Sequence, residues 1–181
     1  MSLHETETVR DPAGDSRRGP PRGAQIRDGV KSVVNLGICP ESQWTYDIAR
    51  FTEKPEQGCY EEALKNQAIL YERIDQSLFQ LKLALSEGLP FVFGFSVFES
   101  FESDAVSKTG DSPMPDPNEQ MLGGHAVMAV GYDDATQRFL IRNSWGADWG
   151  KQGYFTLPYE YVTTSYYASD FWTLKLVETG T

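Results

Sequence analysis

The apolar pattern changes period at Pro90, and that change limits the folds open to this chain. Before it, apolar residues recur at helical spacing. Ile26, Val30, Val33 and Val34 fall at i, i+4, i+7 and i+8, ahead of Gly37. Leu78, Leu81, Ala84 and Leu85 do the same between a capping Asp75 or Ser77 and Gly88. After it, the runs are short and strand-like: Phe91–Phe98, His125–Tyr132, Arg138–Asn143, Gly153–Leu157 and Ser169–Leu176. Helices first and closely linked strands second predict an α+β fold with a mostly antiparallel sheet. The near-continuous apolar run Phe91–Phe98 predicts a strand covered on both faces. Helices are expected over Ala24–Leu36 and Ser77–Glu87, with a shorter one over Tyr60–Ala68 and a strand over Ile69–Ile74. The proline-rich stretch Val106–Leu122 reads as a loop.

Met1–Gly23 holds Pro12, Pro20, Pro21 and four arginines against few apolar side chains, so it reads as a flexible or foreign segment. The expected organisation is then 1–23 as that segment, 24–68 as a helical lobe and 69–181 as the sheet lobe. The formal charge of −10 disfavours a nucleic-acid partner. No apolar run approaches the ~20 residues that span a bilayer, which argues against a membrane role. With no signal-peptide h-region visible, the compartment stays open. Two cysteines and two histidines without a Cys-x-x-Cys pair predict no metal, and no phosphate-binding glycine loop predicts a cofactor.

His125 and Asn143 are the most informative pair. A turn at Asp133-Asp134-Ala135 lies midway between them, so a hairpin about that turn sets them opposite each other at its open end. Cross-strand neighbours have Cβ atoms ~4.5–5.5 Å apart, within reach of an amide oxygen accepting from an imidazole N–H. Such an amide fixes the ring's tautomer and leaves the other nitrogen for a thiol or hydroxyl. A satisfied core histidine beside a turn asparagine fits the same spacing.

The words around the pair are more specific. Gly123-Gly124-His125-Ala126-Val127, Val130-Gly131-Tyr132, Arg142-Asn143-Ser144-Trp145-Gly146, Trp149-Gly150 and Gly153-Tyr154-Phe155 resemble the papain family of cysteine peptidases, over roughly residues 24–176. The resemblance implies a papain-like fold and a Cys-His-Asn peptidase acting on peptide or protein substrates. It makes His125 the general base and acid and Asn143 its orienting partner. Gly124, Trp145 and Trp149 would line or shield the cleft.

The family's nucleophile sits in a Gln-x-x-x-x-x-Cys-Trp word at a helix N-terminus, where the dipole and a neighbouring His⁺ stabilise a thiolate. No such word occurs here. Cys39 is a poor substitute: it follows a helix, Pro40 replaces the tryptophan, and Val33 stands where the glutamine belongs. Cys59 lies in a Glu-rich stretch, and the two cysteines are either a disulfide or separate semi-buried thiols. Asp133-Asp134 reads as turn chemistry, and Glu99 and Glu102 as a solvated strand end. Ser96 shows no partner. Three readings follow: a peptidase cut off from its nucleophile segment, a peptide-binding pseudoenzyme, or one chain of a split enzyme. The intact His and Asn words favour the first. On any of them, the face of Ile26, Val30, Val33 and Val34 is expected to be covered by a second copy or a partner segment.

Overall fold

Of the 181 residues, the structure, a computed structural model, describes Gln25 to Val177. The expected flexible segment Met1–Gly23 lies outside them. The described residues divide into two compact units, residues 25–71 with 175–177, and Glu72–Leu174.

In the first unit the i, i+4, i+7, i+8 repeat forms α1 (Ile26–Leu36), which buries Val30 and Val33 and half-buries Ile26 and Val34. Gly37 ends it at φ 75°, ψ −165°, a region open essentially to glycine alone. A Cβ at Gly37 would stand 1.8 Å from the carbonyl oxygen of Ala63. The last carbonyls of a helix lack intrahelical donors. Here Gln67 Nε2 donates to the carbonyls of Val34 (3.0 Å) and Asn35 (3.2 Å), and Asn66 Nδ2 donates to that of Ile38 at 3.3 Å. The second helix, α2 (Gln57–Ala63), starts earlier than the sequence predicts and stops sooner, because its buried pair is Cys59 and Ala63 at i, i+4. Ala68 belongs instead to β1 (Ala68–Arg73).

The second unit is built on the predicted sheet. After α3 (Leu78–Ser86), capped by the Ser77 side chain, come β2 (Phe91–Phe98), α4 (Asp104–Thr109), β3 (Met121–Asp133), β4 (Arg138–Arg142), β5 (Tyr154–Pro158), α5 (Tyr159–Thr163) and β6 (Ala168–Val177). Neighbouring strands run in the order β6-β2-β3-β4-β5, and each of these pairs is antiparallel. The expected loop over Val106–Leu122 is shorter than predicted, since Val106 anchors α4 in the core and β3 starts at Met121. Nor is β2 covered on both faces. Phe91, Phe93, Phe95 and Val97 are buried, while Val92, Gly94 and Ser96 between them are only half-buried. The core is aromatic: Phe93 stacks on Phe171 of β6 at 5.3 Å, and Phe91 meets Phe139 of β4 edge-on at 6.2 Å. Ser96 does find partners, donating through Oγ to the Tyr166 carbonyl (3.3 Å) and accepting at its own carbonyl from Tyr161 (2.7 Å).

At the outer strand β5 the open edge is covered. Asp111 bridges Thr156 in parallel, Thr156 N–H donates to Gly110 (2.7 Å), and Ser112 N–H donates to Thr156 (3.2 Å). Arg138 ties the same segment down through the Thr156 hydroxyl and the carbonyls of Thr156 and Ser112. Unprotected strand edges invite pairing with other chains, so this strap has a protective role. The hydrogen bond from Lys151, helped by Thr156, holds the Asp111 carboxyl below its ordinary value of 3.8. A depressed carboxyl contributes stability that is present above the unfolded value and lost as pH falls through the lower folded one. Thermal unfolding followed below about pH 4 should therefore show an acid-dependent fall in the midpoint that Asp111→Asn reduces. An unchanged slope would count against the strap.

Candidate active site

His125 lies on β3 and Asn143 one residue past the end of β4, so the two are not directly opposite one another. The β3–β4 turn is longer than Asp133–Ala135, with Asp133 paired to Arg138 and Gln137 at φ 55°. From Asp133 to Gly131 the pairing keeps one register; it then slips by one residue at a bulge around Val130, so that Ala129 faces Ile141 and Met128 faces Arg142. Extended one step, the slipped register sets Asn143 beside Val127, on the face that Val127 shares with His125. Without the bulge, Asn143 would fall beside Met128 and point to the other face, because successive side chains alternate. A diagonal step along one face is within the reach of a ring and an amide.

Asn143 is held firmly where the ladder ends. Its N–H donates to the Gly153 carbonyl at 2.9 Å, and Gly153 N–H in turn donates to Trp149 at 2.8 Å. The loop is pinned further by Gly150, whose N–H donates to the Ser107 carbonyl of α4 (2.7 Å). At φ 59°, a Cβ on Gly150 would come within 2.5 Å of the Tyr154 carbonyl oxygen. Only 8% of Asn143 is exposed.

Asn143 Oδ1 lies 2.9 Å from His125 Nε2 and 2.8 Å from the backbone nitrogen of Ser144. The Ser144 N–H can only donate, so the amide must present oxygen there, and His125 Nε2 must carry the proton it gives to that oxygen. In the neutral ring the lone pair then resides on Nδ1, which has no hydrogen-bond partner among the described residues. Asn143 Nδ2 is left buried without a partner, a penalty borne to keep the oxygen where two donors converge.

Trp145 covers this pair. Its indole stacks on the imidazole at 4.9 Å between centroids and 21° between planes, and Trp149 meets Trp145 perpendicularly at 5.1 Å. Phe95, paired with His125 across β2 and β3, meets its ring at 5.9 Å and a 59° tilt. Gly124, next to His125, is exposed, and a Cβ there would meet only the Phe95 carbonyl, at 3.8 Å.

The other candidates have the following surroundings. Cys39 lies half-buried in the irregular stretch after α1, with Sγ 3.7 Å from the Pro40 carbonyl and 3.8 Å from Gln43 Oε1. Cys59 is buried within α2, and the two are not bridged. Glu99 and Glu102 are exposed. Asp133 accepts from Ala135 N–H (2.9 Å) and the Thr136 hydroxyl (3.0 Å), an Asx turn. Among the described residues no group of His, Cys, Asp or Glu is arranged to hold a metal ion, and no helix is long and apolar enough to cross a membrane.

The sequence profile described as "Papain family cysteine protease" matches residues 17–170. The chain belongs to the papain family. It is 46% identical over 163 residues to an uncharacterized peptidase C1-like protein (L477) of Acanthamoeba polyphaga mimivirus, covering 86% of this chain and 52% of that protein. Among solved structures it is similar to xylellain, a cysteine protease from Xylella fastidiosa, with a TM-score of 0.79, 42% identity, and coverage of 84% of this chain and 62% of that one. The Carica candamarcensis cysteine protease CMS1MS2, solved in complex with E-64, shares the fold at a TM-score of 0.57 and 20% identity, over 85% of this chain and 70% of that one. This papain-family chain spans about half the length of its mimivirus relative.

The rings beneath the site, Phe95 and Phe101, carried no sequence signal of their own. The Ser144 N–H, a backbone group, carried none either.

Proposed function

We propose that this chain carries the base half of a cysteine-peptidase site acting on peptide or protein substrates. His125 is the general base and acid, Asn143 orients it, and Trp145 and Trp149 keep water from the pair. The reaction requires no cofactor and no metal. Neither Cys39 nor Cys59 serves as nucleophile in the sequence given; the thiol comes from a separate Cys-bearing segment of polypeptide. The observation that carries this reading is the 2.9 Å His125–Asn143 bond with Nδ1 unengaged.

The chemistry explains why the chain alone is expected to be silent. In cysteine peptidases a thiolate attacks the carbonyl while the imidazole moves the proton. A thiolate needs an electropositive setting such as a helix N-terminus. Cys39 instead has carbonyl and amide oxygens near its sulfur, and Cys59 is buried inside a short helix. Acid–base help alone supplies about 10²–10⁴-fold, against enzyme accelerations of roughly 10⁶–10¹⁷-fold.

The test is intact mass after incubation with a thiol-directed epoxide peptide, alongside fluorogenic peptide hydrolysis. The chain alone should give neither adduct nor cleavage, and both should appear when a helical segment bearing the Cys-Trp word is added. An adduct on the chain alone that vanishes in Cys39→Ser and tracks cleavage would make Cys39 a relocated nucleophile and overturn the reading. Peptide binding without reaction, even with the added segment, would overturn it in favour of a binding module.

A further inference from the structure

Trp145 is 40% exposed, so burial alone does not explain why its indole lies flat on the His125 ring. Its other aromatic neighbours are Trp149, itself only half-buried, and Phe101, which is 1% exposed. Phe101 comes from the turn after β2, where its N–H donates to the Phe98 carbonyl at 3.0 Å. Its ring meets Trp145 edge-on at 5.7 Å and 60°, and contacts Trp149 at 5.6 Å. On its other sides it meets Phe95 of β2 and Phe155 of β5, each at 5.1 Å and near-perpendicular. Phe95 in turn lies against His125.

Phe101 therefore links the two aromatic side chains that meet the imidazole, Trp145 stacked on it and Phe95 tilted against it. An edge-to-face ring pair is directional, worth about 0.5–1.5 kcal/mol beyond the area it buries, so it fixes orientation as well as position. We propose that Phe101 is a positioning residue for His125, acting through Trp145: the edge-to-face contact between the two rings holds the indole in the plane that stacks on the imidazole. The functional importance of that placement rests on the reading of His125 as the base, but the placement itself is tested without any catalysis.

The chain has only two histidines, His4 and His125, so imidazole signals are readily assigned by NMR. An indole stacked at this distance displaces the His125 ring-proton resonances upfield, and Trp145→Ala should abolish that displacement. Phe101→Leu, which keeps an apolar side chain in the same place, should lose the displacement as Trp145→Ala does. Phe155→Leu is the control: it removes a ring from the same buried cluster, but that ring contacts Trp149 and not Trp145. It should leave the His125 resonances in place. If Phe101→Leu does not fold, Phe101→Met takes its place and should give the same loss. Wild-type His125 resonances in Phe101→Leu or Phe101→Met, or an equal loss in Phe155→Leu, would overturn the proposal. So would an undisplaced ring in the unaltered chain. Because the readout needs neither thiol nor turnover, it can fail while the epoxide test succeeds, and the reverse.

Discussion

A chain carrying Gly37→Ala is expected to lose the fold of its first unit. Two penalties coincide at this position. The backbone sits at φ 75°, ψ −165°, where any residue with a Cβ is strained by about 1–3 kcal/mol. The new methyl would also lie 1.8 Å from the carbonyl oxygen of Ala63, with the Ala63 carbonyl carbon at 2.5 Å. Both obstacles are backbone, so no side chain can swing aside. Relief requires α1 and α2 to part, which exposes Val30, Val33, Cys59 and Ala63 to water. The combined loss should exceed about 4 kcal/mol, the range in which single substitutions become exceptional. Hydrogen exchange at the α1 amides, or proteolysis at Arg27 and Lys31, should rise sharply while the β2–β5 amides stay protected. Wild-type protection across α1 would show that the close approach at Gly37 does not hold these helices.

Asn143→Ala should have the other large effect, on chemistry. In the unaltered chain one amide oxygen accepts from both the Ser144 backbone and His125 Nε2. Truncation frees the imidazole to rotate and to carry its proton on either nitrogen. It also leaves the Ser144 N–H without its acceptor, at a cost of about 1–3 kcal/mol. Disturbing the partner that sets a catalytic histidine's tautomer lowers turnover about 10⁴-fold in serine proteases. With the thiol segment added, Asn143→Ala should therefore lower kcat/KM by about 10²–10⁴-fold. Imidazole nitrogen shifts should move from a single Nε2–H form to a mixture of tautomers. A variant that kept the unaltered kcat/KM would remove Asn143 from the mechanism.

Much of this architecture was legible because local pattern and tertiary contact agree. The repeats of α1 and α3 bury their central members, Val30 and Val33 and then Leu81 and Ala84, and the runs after Pro90 form the strands of the sheet. The failures have physical causes. The five-residue helix α5 is held by contacts from distant segments: Tyr159 N–H donates to Gln137, and the Tyr161 hydroxyl donates to Ser96. The expected helix over Tyr60–Ala68 gave way to β1 at its end, where Ala68 is buried as a strand residue. At the site, the words around His125 and Asn143 pointed to the family. The hairpin arithmetic, however, brought the two residues to the same end of the sheet by a pairing that the structure does not use. It counted a shorter turn and no bulge, although Gly131 beside Val130 is the kind of strand glycine that marks one. Phe101 stayed hidden because its role depends on three strands and a loop that are far apart in the chain.

The bulge at Val130 also constrains how this hairpin can change in length. Side chains on a strand are assigned to faces in alternation, so the encounter of His125 with Asn143 depends on an odd–even count rather than on distance along the chain. Removing or adding one residue in either arm, between His125 and the turn or between the turn and Asn143, would reverse that count. The hairpin would still close and its core would still be apolar, but ring and amide would lie on opposite sides of the sheet. Two residues gained or lost together would restore the phase. Length variation compatible with this site is thus confined to even steps, with the bulge supplying the single offset that brings the two faces into agreement.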